Sequence, residues 1–161
     1  MSFRTLKDVK RPGYQNLLSE GNGTSMIREI IHDPVFLAHP SQPAEKDDLY
    51  IAEDLIDTLR ANMDRCVGMA ANMIGKLKRI IVMARGPIIV VMISPVILSA
   101  SGEYETEEGC LSLEGTRKTK RYRSIRLKWQ DMQMEEHIGI LDGFQAQIVQ
   151  HEIDHCDGKL I

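Results

Sequence analysis

The segment His151-Glu152-Ile153-Asp154-His155 places two imidazoles four residues apart, with a carboxylate beside the first. On a helix, residues at that spacing differ by only about 40° in direction and lie one turn apart. Two such imidazoles can converge on one metal ion. The glutamate can then reach a water on that ion and serve as general base and afterwards as general acid, an arrangement used by zinc hydrolases. The competing explanation is a polar turn on an exposed helix. The apolar flanks of the segment favour the metal.

A catalytic ion of this kind usually has three protein donors and keeps one position for water. Metallopeptidases with the same pattern find the third donor downstream. One class needs a histidine six residues after the second, where this sequence has Ile161; the other needs a glutamate well beyond the motif. The third donor is therefore expected upstream, or is absent. The informative segment there is Glu107-Glu108-Gly109-Cys110-Leu111-Ser112. A cysteine following a glycine can sit at a bent strand end with its sulfur presented. As a thiolate it is a strong donor to iron or zinc. Alone, Cys110 reads as a buried core cysteine; beside an incomplete two-histidine helix it reads as the ligand.

Other candidates are weaker. His32 and His39 lie in a proline-rich stretch and His137 follows Glu135-Glu136; all three read as surface histidines. Cys156 points about 100° away from His155 around a helix and reads as packing, or as support behind the ligands. A Cys110 nucleophile with a histidine base would leave Glu152 and the paired histidines without a purpose. A further segment, Cys66-Val67-Gly68-Met69-Ala70-Ala71-Asn72-Met73-Ile74-Gly75, is rich in small residues. That signals close backbone approach, either to a neighbouring element or to a ligand.

The elements that position these residues follow from periodicity. Asp47 to Asp64 carries Leu49, Ala52, Ile56, Leu59 and Met63 at helical spacing, which predicts an amphipathic helix. Arg79 to Ala84 and Ile88 to Ile93 predict strands about a turn at Arg85-Gly86-Pro87, with shorter strands at Pro95 to Leu98 and Ile125 to Trp129. Asp142-Gly143 opens the last helix and Gly158 stops it. His32 to Pro43 holds three prolines and is expected to be irregular and extended. Strands precede a late helix without regular alternation, so the expected class is α+β, with antiparallel strands packed around a central metal-binding helix.

With 161 residues the chain is expected to form one domain over residues 26–161. Residues 1–25 read as an extension, with the character of a vector-derived linker ahead of a second start at Met26. A net charge of −3 and a single basic cluster, Arg117-Lys118-Thr119-Lys120-Arg121, argue against a nucleic-acid binder. That cluster reads as a solvated turn or edge strand. Three cysteines do not make a disulfide framework. With no signal peptide and no apolar run of membrane length, the expected compartment is the cytoplasm and no membrane partner is expected.

Taken together and in this order, the three segments resemble the peptide deformylase family, whose members carry a glycine-rich Ala-Ala segment, then Glu-Gly-Cys-Leu-Ser, then His-Glu-x-x-His on the last core helix. Asp33-Pro34 resembles the family's beginning as well. The resemblance implies that Cys110, His151 and His155 bind one divalent ion, naturally Fe(II), with Zn, Ni or Co as other occupants. It implies that Glu152 shuttles the proton and that Leu111 offers its backbone N–H to the oxyanion. Val67, Gly68 and Gly109 would hold an extended substrate, with Met73 and Arg117 beside it. The implied reaction is removal of the N-formyl group from the N-terminal methionine of new peptides. The implied partners are formyl-methionyl nascent peptides, met in transient proximity to the ribosome but without the C-terminal extension that some members use there.

The departures concentrate in the first segment. Cys66 stands where the family usually has its first glycine, and Met73 where it usually has a glutamine whose amide helps hold the oxyanion. Losing one such donor costs roughly 10²–10³ in rate. Asn72 is adjacent but should point elsewhere. Leu113-Glu114-Gly115 lacks a proline common there. The alternative functions are a weak or inactive paralogue that binds metal and N-terminal peptides, and a peptidase acting on ordinary peptides.

Overall fold

The computed structural model describes Met1 and residues 25–161. The expected extension at residues 1–25 therefore falls, apart from its two end residues, outside the described residues.

Five strands form one antiparallel sheet in sequence order: β1 (Gly68–Ala70), β2 (Ile80–Arg85), β3 (Ile88–Gly109), β4 (Thr116–Gln130) and β5 (Glu136–Asp142). Among the described residues, three α-helices accompany it: α1 (Pro34–Leu37), α2 (Leu49–Ala61) and α3 (Gly143–Cys156). The class is α+β, as the order of strands and helices implied.

The strand β2 explains the layering. Successive side chains on a strand point to opposite faces. Ile80 and Val82 join a core with Ile51, Leu55 and Leu59 of α2, whereas Ile81 and Met83 join a second core with Ile148, Val149 and Ile153 of α3. The sheet is thus covered on both sides here, which is why this strand is a continuous apolar run and not an alternating one. A two-residue turn, with Gly86 at φ 59°, returns the chain into β3. Positive φ at the first central position suits such a hairpin and favours glycine.

The strands at Ile88 to Ile93 and Pro95 to Leu98 are parts of one 22-residue strand. Register shifts between Ile93 and Val96 and between Ile97 and Ser99, with Ser94 at φ 47°, bend it. Before the bend it pairs with β2, and beyond it with β4. Pro95 cannot donate to a ladder, so it sits at this irregularity. Ile125 to Trp129 is likewise the end of the 15-residue β4. The proline-rich stretch is less extended than expected. Pro34 begins the short α1, with Asp33 accepting from the Val35 N–H at 2.9 Å, a favourable N-cap before an N1 proline.

The helix α2 begins after a reciprocal cap between Glu45 and Asp48. It buries two polar residues that hold the entering chain: Asp54 accepts from Met26 N–H and Arg28 Nε, and Thr58 Oγ1 from Arg28 N–H. The helix α3 ends at Asp157, and Gly158 adopts φ 76°. A Cβ there would lie 2.5 Å from the Ala38 carbonyl oxygen, so the stop requires glycine twice over.

Candidate active site

The helix α3 turns His151, Glu152 and His155 inward, and all three side chains are fully buried. Cys110 follows the last residue of β3 and meets them. Its Sγ lies 3.2 Å from His155 Nε2, which lies 3.2 Å from His151 Nε2. All three donor atoms fall within 4.8 Å of one another. Bonds of about 2.0–2.3 Å at tetrahedral angles separate donors by about 3.3–3.6 Å, so one ion fits this set with little adjustment. Two imidazoles and a thiol are also the donor chemistry that selects iron or zinc over calcium or magnesium. His32, His39 and His137 are not in this set. His32 Nδ1 bonds the Ser112 carbonyl, His39 Nδ1 the Val35 carbonyl, and His137 pairs with Asp131.

Electrostatics prepare the donors. Burial disfavours the imidazolium and brings His155 down to about 3. Burial, together with the Met1 ammonium, also lowers His151, against the pull of Glu108. Both rings are therefore held neutral, the form that binds a metal. Burial pushes the Cys110 thiol up, although the Met1 ammonium and the Ser112 N–H, 3.3 Å from Sγ, act in the opposite direction. Metal binding at Cys110 therefore has to release a proton.

A network behind His151 was not visible as such in the sequence. His151 Nδ1–H donates to Glu108 Oε1 at 2.9 Å, which leaves Nε2 as the lone pair. Glu108 also accepts from Arg121 Nη2 at 2.7 Å, Arg121 Nε at 3.0 Å and Gln147 Nε2 at 2.9 Å. Burial alone would raise the Glu108 carboxyl, but these donors outweigh it and bring it down to about 2. Arg121 reaches on to Asp154 at 2.7 Å. Within the basic cluster Lys120 is exposed, as expected of a solvated strand, but Arg121 is buried between two carboxylates. Strand alternation was the available signal: the two neighbours point to opposite faces.

The opposite flank is formed by β1 and the short 3₁₀ turn Ala71–Ile74. A Cβ on Gly68 would lie 2.9 Å from Glu152 Oε1 and 2.7 Å from Ile148 Cγ2, so only glycine allows the carboxylate its place. Cys66 Sγ–H donates to the Gly68 carbonyl at 2.9 Å. Met73 is fully buried in the same apolar cluster as Cys110 and Leu111. Asn72 points away, donating its amide to the His155 carbonyl at 3.0 Å. Gly109, Cys110, Leu111 and His32 line a cavity of about 420 Å³. Arg117 is not among its walls; it pairs across the ladder with Glu108 and reaches the Glu114 carbonyl at 3.4 Å.

The amino group of Met1 also enters the site. It donates to Glu152 Oε1 at 2.8 Å and to the Gly68 carbonyl at 3.1 Å, and the Met1 carbonyl accepts from Val67 N–H at 3.1 Å. The second carboxylate oxygen, Glu152 Oε2, is buried without a partner among the described residues. Burial would raise the Glu152 carboxyl, but the Met1 ammonium and the two histidines hold it below the usual range.

A buried His-Glu-x-x-His helix, completed by a cysteine from a strand end, defines a metal-binding amide hydrolase. The sequence model of the polypeptide deformylase family matches residues 27–161. The peptide deformylase of Clostridium beijerinckii is 52% identical over 136 residues, spanning 84% of this chain and 100% of the relative. That of Dictyoglomus thermophilum is 39% identical, spanning 84% and 91%. A class I type b peptide deformylase from Acinetobacter baumannii, solved with Met-Ala-Ser bound, superposes with a TM-score of 0.76 at 30% identity and covers 84% of this chain and 97% of that one. The peptide deformylase of Thermotoga maritima gives 0.75 at 31% identity, covering 84% and 94%. The chain belongs to the peptide deformylase family.

Proposed function

We propose that this chain removes the formyl group from the N-terminal methionine of new peptides, with a divalent ion held by Cys110, His151 and His155. The observation that carries the reading is the placement of Glu152. One of its oxygens bonds a methionine α-amine, and the other, fully buried, faces no partner among the described residues. A carboxylate so placed can take a proton from an attacking water and deliver it to the departing amine. When bound, a divalent ion supplies Lewis acidity to the formyl carbonyl and lowers the pKa of water. Glu108 and Arg121 keep His151 oriented, and burial keeps both imidazoles neutral.

Val67 and Gly68 pair with the backbone of an extended substrate, as they do with Met1. Gly109 and Leu111, on the cavity wall, lie along the same path, and the Leu111 N–H serves the oxyanion. Arg117, which does not line the cavity, acts at the outer end of the substrate path. The Acinetobacter relative was solved with Met-Ala-Ser bound, and the site that buries the Met1 side chain here takes the same residue. Ferrous iron suits the thiolate-imidazole set as the natural ion, with zinc, nickel and cobalt as substitutes. The proposed setting is the cytoplasm, on nascent chains near the ribosome; among the described residues no helix is long and apolar enough to cross a membrane. A complete donor set with Glu152 in place does not favour a paralogue without turnover.

The test is formate release by protein loaded anaerobically with iron, on formyl-Met peptides beside acetylated ones. Formate is expected from the formyl peptides and no cleavage of the acetylated ones. No formate, at one bound ion per chain, would overturn the reading.

A further inference from the structure

The two imidazoles of the site are supported unequally. His155 Nε2 faces Cys110 Sγ and His151 Nε2, each at 3.2 Å, so Nε2 is the nitrogen turned to an ion and the proton of the neutral ring belongs on Nδ1. A metal-binding histidine almost always donates that second N–H to a carboxylate, a carbonyl or a water. His151 donates its own to Glu108. His155 Nδ1 is buried and has no partner among the described residues. An acceptor in the same condition is carried by Asn72, itself almost fully buried. Asn72 Nδ2 donates to the His155 carbonyl at 3.0 Å, which decides the orientation of the amide. Its Oδ1 is then the free end, buried and also without a partner among the described residues. Ser41 donates its N–H to the next carbonyl, that of Cys156, at 2.8 Å, and its buried hydroxyl has no partner among them either. Three such atoms thus belong to residues at the last turn of α3.

We propose that Asn72 is the positioning residue for His155: its Oδ1 accepts from His155 Nδ1–H through one buried water, as Glu108 accepts directly from His151. The inference rests on Cys110, His151 and His155 being the metal site and adds what holds the second imidazole. A buried donor and a buried acceptor are each costly when left alone, and a polar recess with complementary groups is where a protein keeps an internal water. Such a water accepts from Nδ1–H and donates to Oδ1. Asn72 then grips one residue at two points, the backbone carbonyl through Nδ2 and the ring through the water. That ties the direction of the ring to the helix that carries it. The 3₁₀ turn Ala71–Ile74, closed by Gly75 at φ 82°, brings Asn72 to the end of α3.

The test loads the full chain with zinc and reads the imidazole protons by NMR of isotope-labelled histidine, without turnover. Each ligand histidine is expected to show one slowly exchanging Nδ1 proton. In Asn72→Leu the His155 proton should move upfield or be lost to exchange, while the His151 proton, held by Glu108, stays. An unmoved His155 proton overturns the proposal. Competition with a chromophoric chelator gives the second reading. Asn72→Leu is expected to weaken zinc binding about 10–100-fold. Asn72→Asp keeps an acceptor toward the ring but cannot donate to the His155 carbonyl, and its zinc affinity should stay within about threefold of the unaltered chain. A residue that only satisfies that carbonyl would make Asp as damaging as Leu. That result, or full affinity in the Leu variant, overturns the proposal. A crystal structure of the zinc-loaded chain should show one water bonded to both Asn72 Oδ1 and His155 Nδ1, and its absence there overturns it as well. If Asn72→Leu does not fold, the Asp variant and the crystal structure decide. If the unaltered chain takes up no zinc, the metal-site reading fails, and crystals of the metal-free chain still decide whether a water joins the two residues.

Discussion

On one flank of the site every polar group is tied to another. His151 is fixed by Glu108, Glu108 by Arg121 and Gln147, and Arg121 by Asp154. On the other flank, Ala71, Met73 and Ile74 are core residues, and the Asn72 amide is spent on the His155 carbonyl. Asn72 Oδ1 has no partner among the described residues. The first flank has to orient His151 for its proposed ion, so its atoms are held by partners at fixed distances, whereas His155 Nδ1 has none among the described residues. The second flank has to fill space beside the substrate. Many apolar residues fill space equally well, whereas few side chains can replace Glu108 or Arg121.

That contrast can be broken by substitution on either side. The largest effect is expected from Gly68→Ala, whose Cβ would collide with Glu152 and Ile148. Displacing Glu152, the proposed general base, should lower kcat by about 10²–10⁴ with the metal retained, measured by formate release and metal content together. Unchanged kcat would mean that Glu152 can move aside without cost to turnover. Next, Met73→Gln puts an amide donor on the apolar flank. If that flank lacks an oxyanion donor, kcat should rise, by at most about 10²–10³. No rise would show that the apolar turn is sufficient as it stands. Arg121→Ala leaves Glu108 buried with fewer partners. Metal affinity should drop by about 10–100-fold, measured by competition with a chromophoric chelator, while KM for the peptide should move little.

The smallest effect is in pH dependence. In the metal-free chain His155 is held at about 3, against 6.5 in the unfolded chain. Between those values the unfolded chain binds more protons, so stability is lost as pH falls through that window. Glu108, held at about 2 against 4.5, adds a further loss as pH falls below 4.5. The Tm of the metal-free protein should therefore decline from about pH 6.5 downward and more steeply below 4.5. A flat profile would contradict the assigned burial of both groups.

The gathering of Cys110, His151 and His155 was legible in the sequence because the proposed chemistry demands particular residue types at particular spacing. The two histidines needed only a helix, and Cys110 was singled out only because a third ligand was missing downstream. The strand β2 was legible as a short apolar run and α3 by its glycine stop. The full lengths of β3 and β4 were not, because a long strand crossing two environments loses its regular alternation at the bend near Ser94 and Pro95. Arg121 was hidden inside a basic cluster, and its burial is explained only by partners 13 and 33 residues away, Glu108 and Asp154. Asp54 and Thr58 fall between the apolar positions that marked α2, and they are buried under the segment they hold. Nothing local in the sequence pairs Met1 with Glu152, since the contact spans the whole chain.

Metal content and formate release of Glu152→Gln, compared with the unaltered chain, test the central claim most directly. The amide keeps the shape of the side chain but cannot accept the proton. The account predicts one ion per chain in both proteins and a loss of about 10²–10⁴ in turnover for the variant. Full turnover with the ion in place would contradict it.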